Sequence, residues 1–145
     1  MTIDTERFST VPLFEGLEHT EIAALLKTAE DVVAKEGDEL VRQGEPADGF
    51  YIIAAGAFEV LKHGAKDAVL ARLETLSYFG EMSLVSDESR AATVVCVQEG
   101  RLKKFSHEKF NQLLDSGNLT AYKVIRNMCR ILAKRLARLE DRFVS

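Results

Sequence analysis

One stretch of the sequence, running Phe79-Gly80-Glu81-Met82-Ser83-Leu84-Val85-Ser86-Asp87-Glu88-Ser89-Arg90-Ala91-Ala92-Thr93, holds residue types whose order suits the gripping of an anion. Gly80 lets backbone approach a ligand closely, and the Glu81 to Val85 segment is expected to form one helical turn whose N–H groups and positive dipole end face negative charge. Arg90 supplies the compensating cation. Its guanidinium is a planar fork that grips two phosphate oxygens at once, and a charged hydrogen bond of this kind contributes about 1.5–3 kcal/mol net. A lysine would fit less well. Glu81 beside a phosphate would repel it unless the carboxylate accepts hydrogen bonds from another part of the ligand, and a sugar hydroxyl is the obvious donor. Ala91 and Ala92 are small enough for their backbone N–H groups to reach the same phosphate. The residues read as a site for phosphate plus ribose.

Such a clamp needs a rigid frame. From Glu30 to Ser106 the chain consists of short runs rich in Val, Ile, Leu, Phe and Tyr, separated by glycines at 37, 44, 49, 56, 64 and 100 that mark turns. Strands are predicted over Asp31 to Ala34, Glu39 to Gln43, Phe50 to Ala54, Ala57 to Lys62, Ala68 to Leu73, Ala92 to Val97 and Arg101 to Phe105. Ahead of them, Ile22, Leu25, Leu26 and Ala29 share one face of a short helix over residues 19–29, with Thr20 as its expected cap, after a packed turn at residues 11–17. Behind them, Phe110, Leu113 and Leu114 suit a helix capped by Ser106, broken at Gly117 before a final long helix. The predicted fold is α+β: a β-roll, resembling a jelly-roll barrel, over about residues 30–106, with an N-terminal helical segment and two C-terminal helices over about 107–143. No repeat or linker divides the chain, so residues 1–145 are expected to be a single domain.

In the last helix Ile125, Met128, Leu132, Leu136, Leu139 and Phe143 fall within an arc about 80° wide, while Arg126, Arg130, Lys134, Arg138 and Arg142 cluster opposite. The apolar stripe suits either a lid on the β-roll or a parallel coiled coil with a second copy, which makes a homodimer possible. The basic face reads as the ordinary solvated side of an amphipathic helix, the alternative being a contact with nucleic acid or an acidic partner.

The composition excludes other classes. Of 145 residues, 46% are hydrophobic and 29% charged, the balance of a globular protein. Residues 121–145 hold seven basic and two acidic side chains, a local +5 that leaves −9 on the residues before them, so a nucleic-acid partner is not expected. The acidic N-terminus lacks the pattern of a signal peptide, and no apolar run is long enough to span a membrane. Cys96 and Cys129 show no metal-ligand spacing and read as buried thiols in a reducing, cytoplasmic compartment. His19, His63 and His107 are isolated in sequence and read as surface or loop residues, so no metal site is expected, and Ser83 and Ser86 lie outside any nucleophile elbow. These absences argue against an enzyme.

Phe79-Gly80-Glu81-Met82 and Arg90-Ala91-Ala92-Thr93, with a short helix between them, resemble the phosphate-binding cassette of the cyclic nucleotide-binding domain family, shared by the catabolite activator protein and protein kinase A regulatory subunits. Glu36-Gly37-Asp38, Gln43-Gly44-Glu45 and Tyr51-Ile52-Ile53-Ala54-Ala55-Gly56 look like the glycine-marked turns of the same family's β-roll. The resemblance implies that Glu81 binds the ribose 2′-hydroxyl, that Arg90 binds the cyclic phosphate, and that the backbone of Gly80, Met82, Ser83, Ala91 and Ala92 completes the cradle. It implies cAMP as ligand, with cGMP possible: Ala91 stands where members preferring cGMP often carry threonine. Asp87 and Ser89 depart from the Gly and Pro common in the family, and Asp87 adds negative charge near an anion site. Arg135 corresponds to a lid arginine of some relatives, its alternative being a solvated flank residue. Leu139 stands near a position where hydroxyl residues of the catabolite activator protein touch adenine, so readout of that type is not expected. The sequence ends where transcription-factor relatives continue into a DNA-binding domain, and none is expected here. The functional expectation is a stand-alone sensor or regulatory module that signals to an unidentified protein partner through its C-terminal helices. The alternative is the same fold without ligand, acting as a dimeric interaction scaffold.

Overall fold

The computed structural model describes residues 5–84, 86 and 88–144, the side chains of 142–144 excepted. Val85, Asp87 and the side chains of Arg142 and Phe143, to which expectations attach above, lie outside the described residues, as does the N-terminal Met1 to Asp4. The chain forms two compact units, one of the residues up to Leu25 with those from Gln112 onward, the other of Leu26–Asn111.

The second unit is an antiparallel β-roll. Its strands are β1 (Glu30–Ala34), β2 (Glu39–Val41), β3 (Gly49–Lys62), β4 (Ala68–Leu73), β5 (Tyr78–Phe79) and β6 (Thr93–Ser106). The main path is β1-β6-β3-β4, with β2 added to β6 and β5 to β3. Among the described residues the sheet does not close on itself, so the fold is an open roll rather than a barrel. Ala34, Tyr51, Ile53, Phe58, Phe79, Val94, Cys96 and Leu102 form its core. On the other face of β3, Phe50 stacks on Phe105 at 4.9 Å and meets the edge of Phe110 at 5.6 Å. Burial of both faces explains why Phe50 to Ile53 is an unbroken apolar run and not an alternating one.

Two pairs of predicted strands are single strands here. Runs 50–54 and 57–62 join through Gly56, and runs 92–97 and 101–105 join through Gly100. These glycines do not turn the chain. A Cβ on Gly100 would stand 2.2 Å from the Ala55 carbonyl oxygen, and one on Gly56 would stand 2.6 Å from the Gly100 Cα. They are small because β3 and β6 pass each other there through a register shift. Gly49 likewise opens β3 rather than a turn, hard against the Phe105 carbonyl.

The other unit is helical. It contains α1 (Thr5–Phe8), unforeseen in the sequence, a 3₁₀ turn at Pro12–Phe14 and most of α2 (His19–Lys27). The cap of α2 is not Thr20: the Glu18 N–H donates to Glu21 Oε1 at 3.1 Å, one turn away. The C-terminal helices are α3 (His107–Asp115) and α4 (Leu119–Val144). Ser106 Oγ accepts the Lys109 N–H as expected, α3 stops before Gly117 at φ +79°, and Asn118 Oδ1 caps α4 through the Ala121 N–H. On α4, Ala121, Val124, Asn127 and Met128 are buried, whereas the same stripe is exposed by Leu136 and Leu139. Cys129 is exposed, contrary to the expectation of a buried thiol, because it falls outside that face; Cys96 is buried as expected.

Candidate functional site

The clamp residues converge in the roll because β5 pairs with β3, setting Phe79 opposite Tyr51, where the two rings stack at 4.8 Å. The chain then turns at Gly80, with φ +85°, a conformation costly for any residue bearing a Cβ. Space matters as much: a Cβ there would stand 2.6 Å from Arg90 Nη1 and 3.0 Å from the Gly49 carbonyl oxygen. Glu81–Leu84 follows as a single helical turn, as expected, and it is of the 3₁₀ type. Four residues sum to little macrodipole, so what the turn offers an anion is individual N–H groups.

Arg90 is held at both of its ends. Its backbone pairs with the Gln43-Gly44-Glu45 turn, the Gly44 N–H donating to the Arg90 carbonyl at 2.8 Å and the Arg90 N–H to the Glu45 carbonyl at 2.9 Å. Its neighbours are tied too, Ala91 by Lys62 Nζ at 2.8 Å and Thr93 Oγ1 by the Gln43 N–H at 3.0 Å. Arg90 as a whole is only 7% exposed. Nη2 donates to the Gly49 carbonyl at 2.8 Å, and Nη1 reaches Ser83 Oγ at 3.5 Å. Asp48 Oδ1 stands 3.7 Å from Nη2, while Oδ2 of the same carboxylate accepts from Lys104 Nζ at 3.0 Å. Burial pushes the Arg90 pKa down, against the opposing fields of Tyr51 and Asp48. The bond from Lys104 holds the Asp48 carboxyl below its ordinary range despite partial burial.

Beside the guanidinium lies a pocket of about 260 Å³, walled by Val41, Val60, Phe79 and Val94 and closed by clamp residues. Its volume sits just below the roughly 300–1,000 Å³ of drug-sized ligand pockets, which suits a small ligand that stays partly open to solvent. Of the residues singled out from the sequence, Gly80, Met82, Ser83, Arg90, Ala91 and Ala92 line it. Glu81 is not on its wall; it is buried, 8% exposed, at the start of the 3₁₀ turn. Arg135 lies on the exposed part of α4 in the helical unit. Among the described residues no cluster of His, Cys, Asp and Glu is arranged to hold a metal ion.

Sequence reasoning missed three participants. Asp48 and the Gly49 carbonyl reach Arg90 from 42 and 41 positions away, and no local spacing announces them. His107, taken for a surface or loop residue, is half-buried with Nε2 at 3.3 Å from Ser83 Oγ. His19 and His63 are exposed as expected.

A sequence profile described as the cyclic nucleotide-binding domain matches residues 31–117. The chain therefore belongs to the cyclic nucleotide-binding domain family. It is 44% identical over 97 residues to a cAMP-dependent protein kinase regulatory subunit of Mucor circinelloides f. lusitanicus, covering 66% of this chain and 22% of that protein. It is 35% identical over 106 residues to the subunit of the same name from Blastocladiella emersonii, covering 72% of this chain and 26% of the other. The chain thus spans about a quarter of the length of these relatives. Among solved structures it superposes on the catabolite activator protein of Thermus thermophilus with a TM-score of 0.81 and 26% identity, covering 91% of this chain and 61% of that one.

Proposed function

We propose that this member of the family binds a cyclic purine nucleotide, cAMP before cGMP, in the pocket beside Arg90, and acts as a regulatory module rather than as an enzyme. The observation that carries the reading is the state of Arg90: a cationic residue 7% exposed, facing a pocket, with no carboxylate closer than 3.7 Å among the described residues. Burying a charge is costly unless strong partners accompany it, and a bound phosphodiester is the partner that matches the fork. In this reading Arg90 grips the cyclic phosphate, with the backbone of Gly80, Met82, Ser83, Ala91 and Ala92 around it. Glu81 accepts from the ribose 2′-hydroxyl once the 3₁₀ turn has shifted to admit the sugar. Ala91 offers no hydroxyl to a guanine, which favours cAMP.

The names of the kinase regulatory subunits above support a regulatory role, and Leu136 and Leu139, 57% and 49% exposed on α4, give the C-terminal helix an apolar surface for a protein partner or a second copy. Binding would shift a population between two arrangements of the clamp loop and the C-terminal helices, Arg135 contributing to the lid in one of them. Calorimetric titration with cAMP and cGMP tests the site. Wild type should bind cAMP more tightly than cGMP, and Arg90→Ala should weaken cAMP binding on the order of 100-fold. Equal affinity of wild type and variant would overturn the assignment.

A further inference from the structure

His107 is the one imidazole brought to the clamp, and three elements fix it there. It is the first residue of α3, its backbone N–H donates to the Asp48 carbonyl at 2.9 Å, and Nε2 stands 3.3 Å from Ser83 Oγ. Ser83 lines the nucleotide pocket. Its hydroxyl gives its single proton to the Gly80 carbonyl at 2.6 Å and lies 3.5 Å from Arg90 Nη1. The direction of that proton is therefore shared between the turn, the ring and any ligand. A neutral imidazole in one tautomer presents a bare Nε2 that competes for the hydroxyl proton; a charged one presents only N–H groups. Opposite a charged ring, Ser83 must accept from Nε2, and its own proton is left to point at Gly80 or at the pocket.

We propose that His107 is a positioning residue of the nucleotide site, taking up a proton from solvent when a phosphodiester anion is seated at Arg90 and thereby setting the Ser83 hydroxyl as a donor to that anion. The proposal rests on the anion-site reading above and adds to it a coupling between ligand and protons. The charges around the ring give the sign. Burial is the largest influence and keeps the ring neutral; Arg90 from the clamp loop and Lys104 from β6 act the same way, while Asp48 and the Gly80 carbonyl favour the charged form. In the unliganded chain the His107 pKa thus lies below its ordinary value. An anion that cancels the field of Arg90 raises it. Affinity then climbs as pH falls from the pKa of the bound state to that of the free state, and levels off outside that window. Each unit of difference between the two values corresponds to about a tenfold change in affinity.

The test is titration of the full chain with cAMP between about pH 5 and pH 8, in pairs of buffers with unlike ionisation enthalpies, alongside NMR titration of the His107 ring. Wild type is expected to take up a fraction of a proton per nucleotide, with affinity rising about 3- to 10-fold toward the acid end. His107→Gln keeps a donor to Ser83 but cannot titrate, and should bind with no proton uptake and a flat pH profile. By NMR the ring pKa should rise on adding cAMP, and in Arg90→Gln it should rise without any ligand, a readout independent of how well His107→Gln folds. Binding by wild type without proton uptake, uptake that persists in His107→Gln, or a ring pKa indifferent to Arg90→Gln would each overturn the role of His107 while leaving the anion site standing. No binding by wild type at any pH would overturn both.

Discussion

Two polar clusters, one in each compact unit, handle buried charge in opposite ways. In the helical unit, Glu21 is nearly surrounded: Lys123 Nζ reaches both carboxylate oxygens at 3.0 and 3.1 Å, Thr120 Oγ1 donates at 2.9 Å, and the Glu18 N–H at 3.1 Å. Nearby on α4, Asn127 Nδ2 donates to the Leu13 and Glu15 carbonyls at 2.9 and 2.8 Å, so a helix and the 3₁₀ turn are stitched by one amide. In the roll, Arg90 is buried more deeply, its side chain 6% exposed against 18% for Glu21, yet among the described residues its one short bond is to a carbonyl, and the carboxylate beside it is already engaged by Lys104. The first cluster pairs its charges within the chain, as expected of groups that specify a fold, although Asn127 Oδ1 is buried with no hydrogen-bond partner among the described residues. Among the described residues the second leaves the guanidinium's charge largely uncompensated next to a pocket, and the compensation is assigned above to a ligand.

Substitutions should therefore separate stability from binding. The largest effect belongs to Arg90→Ala: about 100-fold weaker cAMP binding by calorimetry with a melting temperature changed little, since removing a desolvated cation offsets the donor that the buried Gly49 carbonyl loses. A fall in melting temperature matching the loss of affinity would make Arg90 another fold-specifying group. The mirror experiment, Asn127→Ala, is expected to cost about 2 kcal/mol in urea unfolding, because one buried and one part-buried carbonyl lose their donor, while cAMP affinity stays within about threefold. Gly80→Ala lies between, loading a Cβ onto the Arg90 fork and onto a left-handed backbone, with an expected loss of about tenfold in affinity and about 1 kcal/mol in stability.

The smallest effect is Glu21→Gln, about 1 kcal/mol at neutral pH, and its pH dependence sharpens the contrast. Hydrogen bonds from Glu18 and Lys123 lower the Glu21 pKa. A lowered carboxylate contributes stability that is present above its unfolded value and lost as pH falls through its folded one, so unfolding curves of wild type and Glu21→Gln should converge in acid. Curves that stay parallel into acid would show that the bonds to Glu21 carry no linked proton.

The clamp was legible because its chemistry is local. Gly80 and Arg90 sit ten positions apart in one loop, and their residue types signify close approach and a bidentate cation wherever the loop is placed. Strand existence was legible too, since apolar runs such as Phe50 to Ile53 must be buried. What was misread had partners far along the chain. Gly56 and Gly100 look like turn residues until β3 and β6 are laid against each other and each is found to be filled space for the other. His107 looks like an isolated surface residue until α3 sets it beside Ser83, 24 positions earlier.

By itself, then, the sequence determined that an arginine, a glycine turn and two small residues, the proposed anion clamp, stand together within a β-roll, because those features depend on local geometry and on the period of apolar residues. The tertiary structure alone decided that the arginine is desolvated without a close carboxylate among the described residues, that Glu81 lies off the pocket wall, that a histidine backs the proposed site, and how far along α4 the apolar stripe stays buried. Each of these depends on which distant segments exclude water from a group, and that is a property of packing that no single stretch of chain encodes.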